Sequence, residues 1–362
     1  MSKKRIAILT GGGDCAGLNA VIRAVTKKAI LDLGYEVYGF MDGYEGLIKN
    51  KFQKLDLNDV SGILTLGGTI LGTSNKANPY KYAIRKGDDI VYEDRSKDVL
   101  HNIEDLKIDC LVCIGGDGTL KIADKLQHDG IPIVGVPKTI DNDIRGTDIT
   151  FGFDTAVEIV TEGIDRIHST AQSHHRVMIV EVMGRTAGWI ALHSGIAGGG
   201  DIILIPEIPY KIEKVVEKVK QRSKKGKRFS IIVVAEGAKP KGGDVTIKRI
   251  VKDGAEPVRL GGISFVLGDQ IENMTNLETR AVVMGHLQRG GDPSSFDRVL
   301  ATRIGTHVAD MIERKEFGHM VGVRCDGLVN VPLDEVAQGP RLVLQDHPLI
   351  KSAQSIGVSF GE

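Results

Sequence analysis

The sequence has no surplus of charge of either sign: 47 lysines and arginines stand against 47 aspartates and glutamates. No global field therefore gathers nucleic acid or an anionic membrane surface, and any anionic ligand has to be caught by a local basic cluster. No stretch approaches the roughly 18 consecutive apolar residues of a membrane span. The opening MSKKR is followed only by the apolar run from Ile6 to Leu9 before polar, glycine-rich chain, which is no secretory signal. Cysteine is scarce, at positions 15, 110, 113 and 325; with no signal, that usage points to a reduced, cytoplasmic protein. Cys110 and Cys113 have the C-x-x-C spacing but no second pair to complete a metal site. They lie in the apolar run CLVCI, where strand alternation sends the two thiols to opposite faces, as core residues. No repeat of short period is present, which excludes a solenoid. No G-x-x-x-x-G-K-[ST] is present either, which excludes a P-loop.

What the chain has instead is length and alternation. At 362 residues it exceeds the roughly 250 to 300 at which single cores stop growing, so two lobes with a cleft are expected. Short apolar, β-branched runs alternate with helical periodicity. Arg5 to Thr10 predicts a strand, Leu18, Val21, Ile22, Val25 and Ala29 recur at helical spacing, and a second strand follows near Tyr35 to Phe40. The pattern returns with CLVCI, a helix from Leu120 to Gln127, and IPIVGV. It returns again with VMIVEVM, a helix after Thr186, and DIILIP, and then with a helix carrying Ile212, Val215, Val216 and Val219 on one face, leading into FSIIVVAEG. Strands that are apolar throughout belong in parallel sheets covered on both faces. The fold class is α/β: two doubly wound, mostly parallel lobes with the active site between them. Two stretches, 75–98 and 239–254, are less regular and read as surface excursions.

Ligands of open α/β sheets bind beyond the carboxyl ends of the strands, so the turns there are the candidate sites. The first is TGGGDCAGLNA, from Thr10 to Ala20. Its Gly11, Gly13 and Ala16 satisfy a loose G-x-G-x-x-A and raise a dinucleotide-binding reading, with Asp42 as the acid for a ribose. The second is IGGDGTLK, from Ile114 to Lys121. Its small residues let backbone amides approach phosphate oxygens at a helix amino end, and Asp117 is placed to hold Mg²⁺ on a phosphate chain. The third is VPKTIDNDI, where Asp141 and Asp143 stand one residue apart. An Asx-rich turn is the plain structural account; beside a metal-phosphate site, one acid can instead remove a hydroxyl proton while the other orients it.

Downstream strand ends carry the opposite charge. Met183, Gly184 and Arg185 fall at a strand-to-helix turn, Arg176 starts a strand, Glu236 ends another, and Arg280, His286 and Arg289 lie along and just past a further one. The arginine fork pairs two oxygens of a terminal phosphate at once, and Glu236 can accept sugar hydroxyls. Singly, such residues are usually solvated or locally satisfied. Together they imply a phosphorylated, hydroxylated ligand facing a nucleotide site.

GGGDCAGLN, GGDGT, PKTIDND, MGRTAGW, AEG and ETRAVVMGHLQRGG, in that order between Thr10 and Gly291, closely resemble the phosphofructokinase family. GGDGT alone is shared with NAD kinases and lipid kinases; PKTIDND with MGR and GHLQRGG is specific. The resemblance implies that Asp141 is the general base on the 1-hydroxyl of fructose 6-phosphate, with Asp143 orienting it, Thr139 near the transferred phosphoryl group and Asp117 at Mg²⁺. It implies that Arg176 and Arg280 reach the 6-phosphate of a neighbouring subunit, while His286 and Arg289 contact it within the same subunit. Met183, Gly184, Arg185 and Glu236 would hold the sugar and the transition-state charge. Gly13, Gly115, Gly116, Gly118 and Thr119 would line the donor loops. The implied lobes are 1–138 with 290–338 for the donor and 139–289 with 339–362 for the sugar phosphate, in a homotetramer with active sites shared between subunits.

Two positions disagree about the donor. Gly118 leaves room for the α-phosphate of ATP, and relatives with Asp there favour pyrophosphate. Lys138 matches the pyrophosphate-using members. Gly118 weighs more, because a missing side chain is steric room while a lysine is mobile, so ATP is the expected donor and pyrophosphate the alternative. A further departure is Asn75, where many relatives carry an arginine bridging both substrates; Lys76 is the candidate replacement. Arg23 and Lys27 lie on the first helix, where some relatives bind effectors. A dinucleotide oxidoreductase and a non-catalytic sugar-phosphate sensor are the readings from other classes.

Overall fold

The computed structural model describes residues 3–87, 89–250 and 258–362. In chain order the first half comprises β1 (Arg5–Thr10), α1 (Leu18–Leu31), β2 (Glu36–Phe40), α2 (Tyr44–Ile48), β3 (Phe52–Leu55), β4 (Tyr82–Lys86), β5 (Asp89–Glu93), α3 (Ser96–Asp105), β6 (Cys110–Gly115), α4 (Asp117–His128) and β7 (Ile133–Pro137). Next come α5 (Phe153–His174), β8 (Val177–Val182), α6 (Trp189–Ala197), β9 (Ile202–Leu204), α7 (Ile212–Lys224) and β10 (Ser230–Ala235). The remainder is β11 (Ile247–Ile250), β12 (Val258–Leu260), α8 (Ile263–Thr275), β13 (Thr279–Val283), α9 (Ser295–Glu313), β14 (His319–Arg324), β15 (Gly327–Pro332), α10 (Leu333–Val336) and α11 (Pro348–Ser355).

β1 shows why the pattern folds this way. Its alternation places Ile6 and Ile8 in one apolar cluster and Ala7 and Leu9 in another, on the opposite face of the sheet. Cys110 and Cys113 part in the same manner and are buried free thiols, as expected. A seven-stranded sheet has the order β15-β14-β7-β6-β1-β2-β3. Its five inner strands are parallel and its edges, β3 and β15, antiparallel. A four-stranded, wholly parallel sheet has the order β13-β8-β10-β9. Helix α1 packs on α9 against the larger sheet, and α5 packs on α6 and β8 of the smaller one.

In the larger sheet the strand order turns outward on either side of β1 and β6, which opens a crevice at their carboxyl ends. Thr10 pairs with Ile114 and Gly115 with Pro137, so the turns after β1, β6 and β7 leave the sheet side by side. These are the three turns that carry TGGGD, GGDGT and KTIDND.

Two expectations change. Helix α4 opens at Asp117 rather than Leu120, because a helix's first turn need not show apolar periodicity and a carboxylate there is favoured by the helix dipole. The stretch 75–98 is no loose excursion. Asn78 caps a 3₁₀ turn, β4 and β5 form a hairpin, and Tyr82 Oη donates to Glu45 Oε1 at 2.9 Å while Tyr80 Oη donates to Asp129 Oδ2 at 2.6 Å. In the second excursion β11 pairs with β12; residue 88 of the first and residues 251–254 of the second lie outside the described residues. No helix among the described residues is long and apolar enough to cross a membrane.

Candidate active site

The glycine turns pack into one another. At Gly115 a Cβ would stand 2.3 Å from Thr119 Cβ, so the turn before α4 can close only without a side chain. Thr119 is buried, and its carbonyl accepts from Tyr44 Oη at 2.8 Å. The first turn is pinned by Ser74 and Thr73: Gly12 N donates to Ser74 O at 3.1 Å, and Thr73 Oγ1 to Gly12 O at 2.7 Å. Asn75 and Lys76, next along, are exposed. A Cβ on Gly118, by contrast, would meet nothing within 4 Å. No described residue keeps Gly118 small, and the space beside it is open.

Asp117 opens α4. Its Oδ2 accepts from Lys121 Nζ at 2.7 Å, while its Oδ1 is buried with no hydrogen-bond partner among the described residues. Burial pushes the Asp143 carboxyl up, the Thr139 hydroxyl draws it down by hydrogen bonding, the charge of Asp117 raises it and that of Lys138 lowers it. The acids at 117 and 143 therefore act on one volume. Asp141 is on the same turn, its amide donating to Thr139 Oγ1 at 3.1 Å, and its charge reaches Lys138.

Lys138 is not the mobile cation anticipated above. It is 3% exposed and donates through Nζ to the Gly13 carbonyl. Burying an ammonium costs several kcal/mol unless polar groups surround it. Burial is the main cause of its lowered pKa, with the carboxylates of Asp14 and Asp141 acting the other way. The lysine ties the turn after β7 to the turn after β1.

The plain account of VPKTIDNDI holds for its middle residue. Asn142 is buried in the left-handed region at φ 52°; its Oδ1 accepts from Thr150 N at 3.0 Å. That inversion of the backbone separates Asp141 from Asp143.

The second set of residues divides between two edges of the smaller sheet. Met183, Gly184 and Arg185 follow β8, Glu236 follows β10 and His286 follows β13, all at carboxyl ends. Gly184 has φ 135°, and a Cβ there would lie 2.8 Å from Ala187 O, so the turn that presents Arg185 requires glycine. Arg185 Nη1 donates to Val258 O at 2.9 Å. Arg289 crosses to the first glycine turn, with Nη1 3.1 Å from Asp14 O, while His286 is exposed. Arg176 and Arg280 stand at the opposite, amino edge, roughly 20 Å away along a six-residue strand. Both lean on Glu278: Arg176 through Nε at 2.7 Å and Nη2 at 3.2 Å, and Arg280 through Nη2. Within one chain the residues expected to bind the phosphate are not all brought together.

Sequence reasoning missed three supports. Gln288 is buried, with Oε1 accepting from Met183 N at 3.3 Å. Glu207 accepts from Gly188 N at 3.0 Å and Val343 N at 2.9 Å. Arg341 grips the turn around Asn142, donating from Nη2 to Asn142 O at 3.0 Å. Only the first, inside GHLQRGG, had a local signal.

Asp42, the acid of the dinucleotide reading, pairs with Lys51 Nζ at 3.1 Å on the surface; the family match decides against that reading. The profile of the family described as Phosphofructokinase matches residues 5–312. The chain belongs to the phosphofructokinase family. It is 53% identical over 361 residues, 99% of both chains, to an ATP-dependent 6-phosphofructokinase 2 of Clostridium perfringens. It is 50% identical, over 99% of its own length and 98% of the relative's, to an ATP-dependent 6-phosphofructokinase of Chloroflexus aurantiacus. A pyrophosphate–fructose 6-phosphate 1-phosphotransferase of Amycolatopsis methanolica is 51% identical over 91% of this chain and 94% of the relative. Among solved structures, a Pichia pastoris phosphofructokinase in the T-state superposes with a TM-score of 0.81 at 34% identity; the match covers 93% of this chain and 36% of that longer one. Within the phosphofructokinase family, then, overall identity does not separate the two donors, and the local geometry at 118 and 138 has to.

Proposed function

We propose that the protein transfers the γ-phosphoryl group of ATP to the 1-hydroxyl of fructose 6-phosphate, giving fructose 1,6-bisphosphate in glycolysis. The observation that carries this is the meeting of Asp117, Asp143 and the buried Lys138 beside the open space at Gly118. Asp141 accepts the hydroxyl proton as the oxygen attacks, Asp143 orients that carboxylate, Thr139 stands by the transferred group, and Arg185 offsets its charge. Gly13, Gly115, Gly116, Gly118 and Thr119 line the nucleotide's phosphates.

Among the described residues no three His, Cys, Asp or Glu side chains converge as a metal cage. Mg²⁺ does not need one, since it binds through one or two carboxylates with water and phosphate completing the shell. The buried Oδ1 of Asp117, which has no hydrogen-bond partner among the described residues, fits that chemistry. Asp117 would hold the ion, and bound magnesium would neutralise charge between the donor's phosphates.

The carboxyl edge of the smaller sheet supplies Met183, Gly184, Arg185, Glu236, His286 and Arg289 to the sugar phosphate, and Arg176 and Arg280 act on the site of a second copy. The working form is a homotetramer in the cytoplasm, with 1–138 and 290–338 as the donor lobe and 139–289 and 339–362 as the sugar-phosphate lobe. Lys76 takes part of the charge absent at Asn75.

Pyrophosphate is the second reading, favoured by Lys138 and by the Amycolatopsis relative. Against it, Lys138 is tied back onto Gly13, and the volume that a longer donor would fill beside Gly118 stays clear. Initial rates with each donor at saturating fructose 6-phosphate test the proposal. ATP should support the faster turnover, and Gly118→Asp should reduce the ATP rate at least about tenfold, as carboxylate and α-phosphate would share one space. Turnover with pyrophosphate alone would overturn the choice of donor; none with either would overturn the kinase.

A further inference from the structure

The segment 341–345 bonds both to the turn after β7 and to the end of the turn after β8. Arg341 N donates to Asp143 O at 2.7 Å. Its guanidinium Nη2 donates to Asn142 O at 3.0 Å and to Asp148 O at 2.8 Å, closing the turn that carries Asp141 and Asp143. The same guanidinium lies 4.2 Å from the centre of the Trp189 ring, and Trp189 Nε1 donates to Arg341 O at 2.9 Å. Trp189 begins α6 and ends the turn that presents Arg185. Two residues on, Val343 N and Gly188 N share the Glu207 carboxylate, and Gln345 Nε2 donates to Glu207 O at 3.1 Å. Burial lowers the Arg341 pKa, and the charges of Asp148 and Asp143 oppose that shift.

Every one of these contacts holds backbone or an aromatic face rather than a ligand. A guanidinium is suited to this: its planar fork bridges two carbonyls while its face lies on an indole, which a lysine cannot reproduce. We propose that Arg341 is a positioning residue that locks the turn bearing the base to the turn bearing Arg185, so that proton acceptor and phosphoryl-stabilising cation move as one body. This rests on the roles assigned to those turns above. An error of about 1 Å in the placement of reacting groups costs on the order of 10²-fold in rate, and it does so without weakening substrate contacts made elsewhere. The signature is therefore a loss in kcat with KM preserved.

The test compares Arg341→Gln and Arg341→Lys with Val216→Ala, a core change in α7 remote from the cleft that matches a general loss of stability. Arg341→Gln should lower kcat at least about tenfold, with KM for both substrates within threefold; Arg341→Lys, keeping stem and charge, should recover part of the loss. Val216→Ala should lose melting temperature but keep kcat within twofold. The chain has a single tryptophan, so the emission of Trp189 reads the lock without turnover and should shift to the red in Arg341→Gln. The kinase reading is judged on the wild-type rate alone, the lock on variant-to-wild-type ratios and on that emission. The lock is overturned if emission is unchanged, if both Arg341 variants keep kcat within twofold, if KM carries the whole effect, or if Val216→Ala loses as much kcat. Should the Gln variant fail to fold, the Lys variant decides by the same criteria.

Discussion

The two edges of the smaller sheet both carry arginine and glutamate but brace them differently. At its carboxyl edge Met183, Gly184, Arg185 and Glu236 sit on short turns braced by Gln288, Glu207 and a glycine in the left-handed region. At its amino edge Arg176 and Arg280 share the surface carboxylate of Glu278, and Arg280 Nη1 also donates to Thr279 O at 2.7 Å. Bracing sets the cost of a wrong geometry. The carboxyl edge is linked to the turns of the larger sheet through Arg289 and Asp14 O, and on the proposed function reacting atoms there must be held to fractions of an ångström. On the role proposed for it, the amino edge has an anion to hold and no bond to break, so two forks sharing one exchangeable carboxylate would suffice until a phosphate displaced it.

Substitutions at the two edges should therefore separate in kinetics. The largest effect belongs to the acids of the turn after β7: Asp141→Asn should cut kcat by at least about 10²- to 10⁴-fold while sugar-phosphate binding, followed by calorimetry, changes little. Retained turnover would remove Asp141 as the base. Next, Arg280→Ala should raise KM for fructose 6-phosphate by about 10- to 100-fold, as expected for a lost charge-assisted bond of about 1.5–3 kcal/mol, with kcat within a few-fold. At low fructose 6-phosphate, hybrids assembled from Asp141→Asn and Arg280→Ala subunits should be more active than either parent, because some shared sites then carry neither lesion. No such gain would mean that each chain closes its own site.

The smallest effect concerns what holds the smaller sheet to the larger. Asp297, in the first turn of α9, accepts from Thr155 N at 2.9 Å and Thr155 Oγ1 at 2.5 Å, while Ser294 Oγ donates to Asp154 Oδ2 at 2.6 Å. These bonds clasp the amino ends of α9 and α5. Burial pushes the Asp297 carboxyl up to about 6. A carboxyl raised on folding contributes stability that is present below its unfolded value near 4 and lost as pH rises through 6. Between pH 7 and pH 5, wild type should gain about 1 kcal/mol relative to Asp297→Asn in denaturant titrations. An unchanged difference would show that this carboxylate does not titrate there.

The alternating core was legible from pattern because strand faces are set by single-residue alternation. Ile6 and Ile8 against Ala7 and Leu9, like Cys110 against Cys113, need no tertiary information. The three turns after β1, β6 and β7 were legible because glycine and acid clusters have few structural uses there. Less visible was the start of α4, where Asp117 and Gly118 stand outside the core, and the hairpin within 75–98, whose support comes from Glu45 and Asp129 elsewhere in the chain. Arg341 had no local signal at all, since its partners lie about 150 to 200 residues upstream.

The order of residues alone determined the α/β class, the family and the identity of the acids and cations at strand ends, because each follows from composition over a few neighbouring positions. Tertiary structure alone decided that Lys138 is buried and tied to Gly13, that Asn142 is a turn residue between Asp141 and Asp143, and that Arg176 and Arg280 stand at the opposite edge from Arg185. A side chain's environment is set by which strands lie side by side and by the end of the sheet at which a turn emerges. Those are properties of the assembled sheets, and no short stretch of sequence contains them.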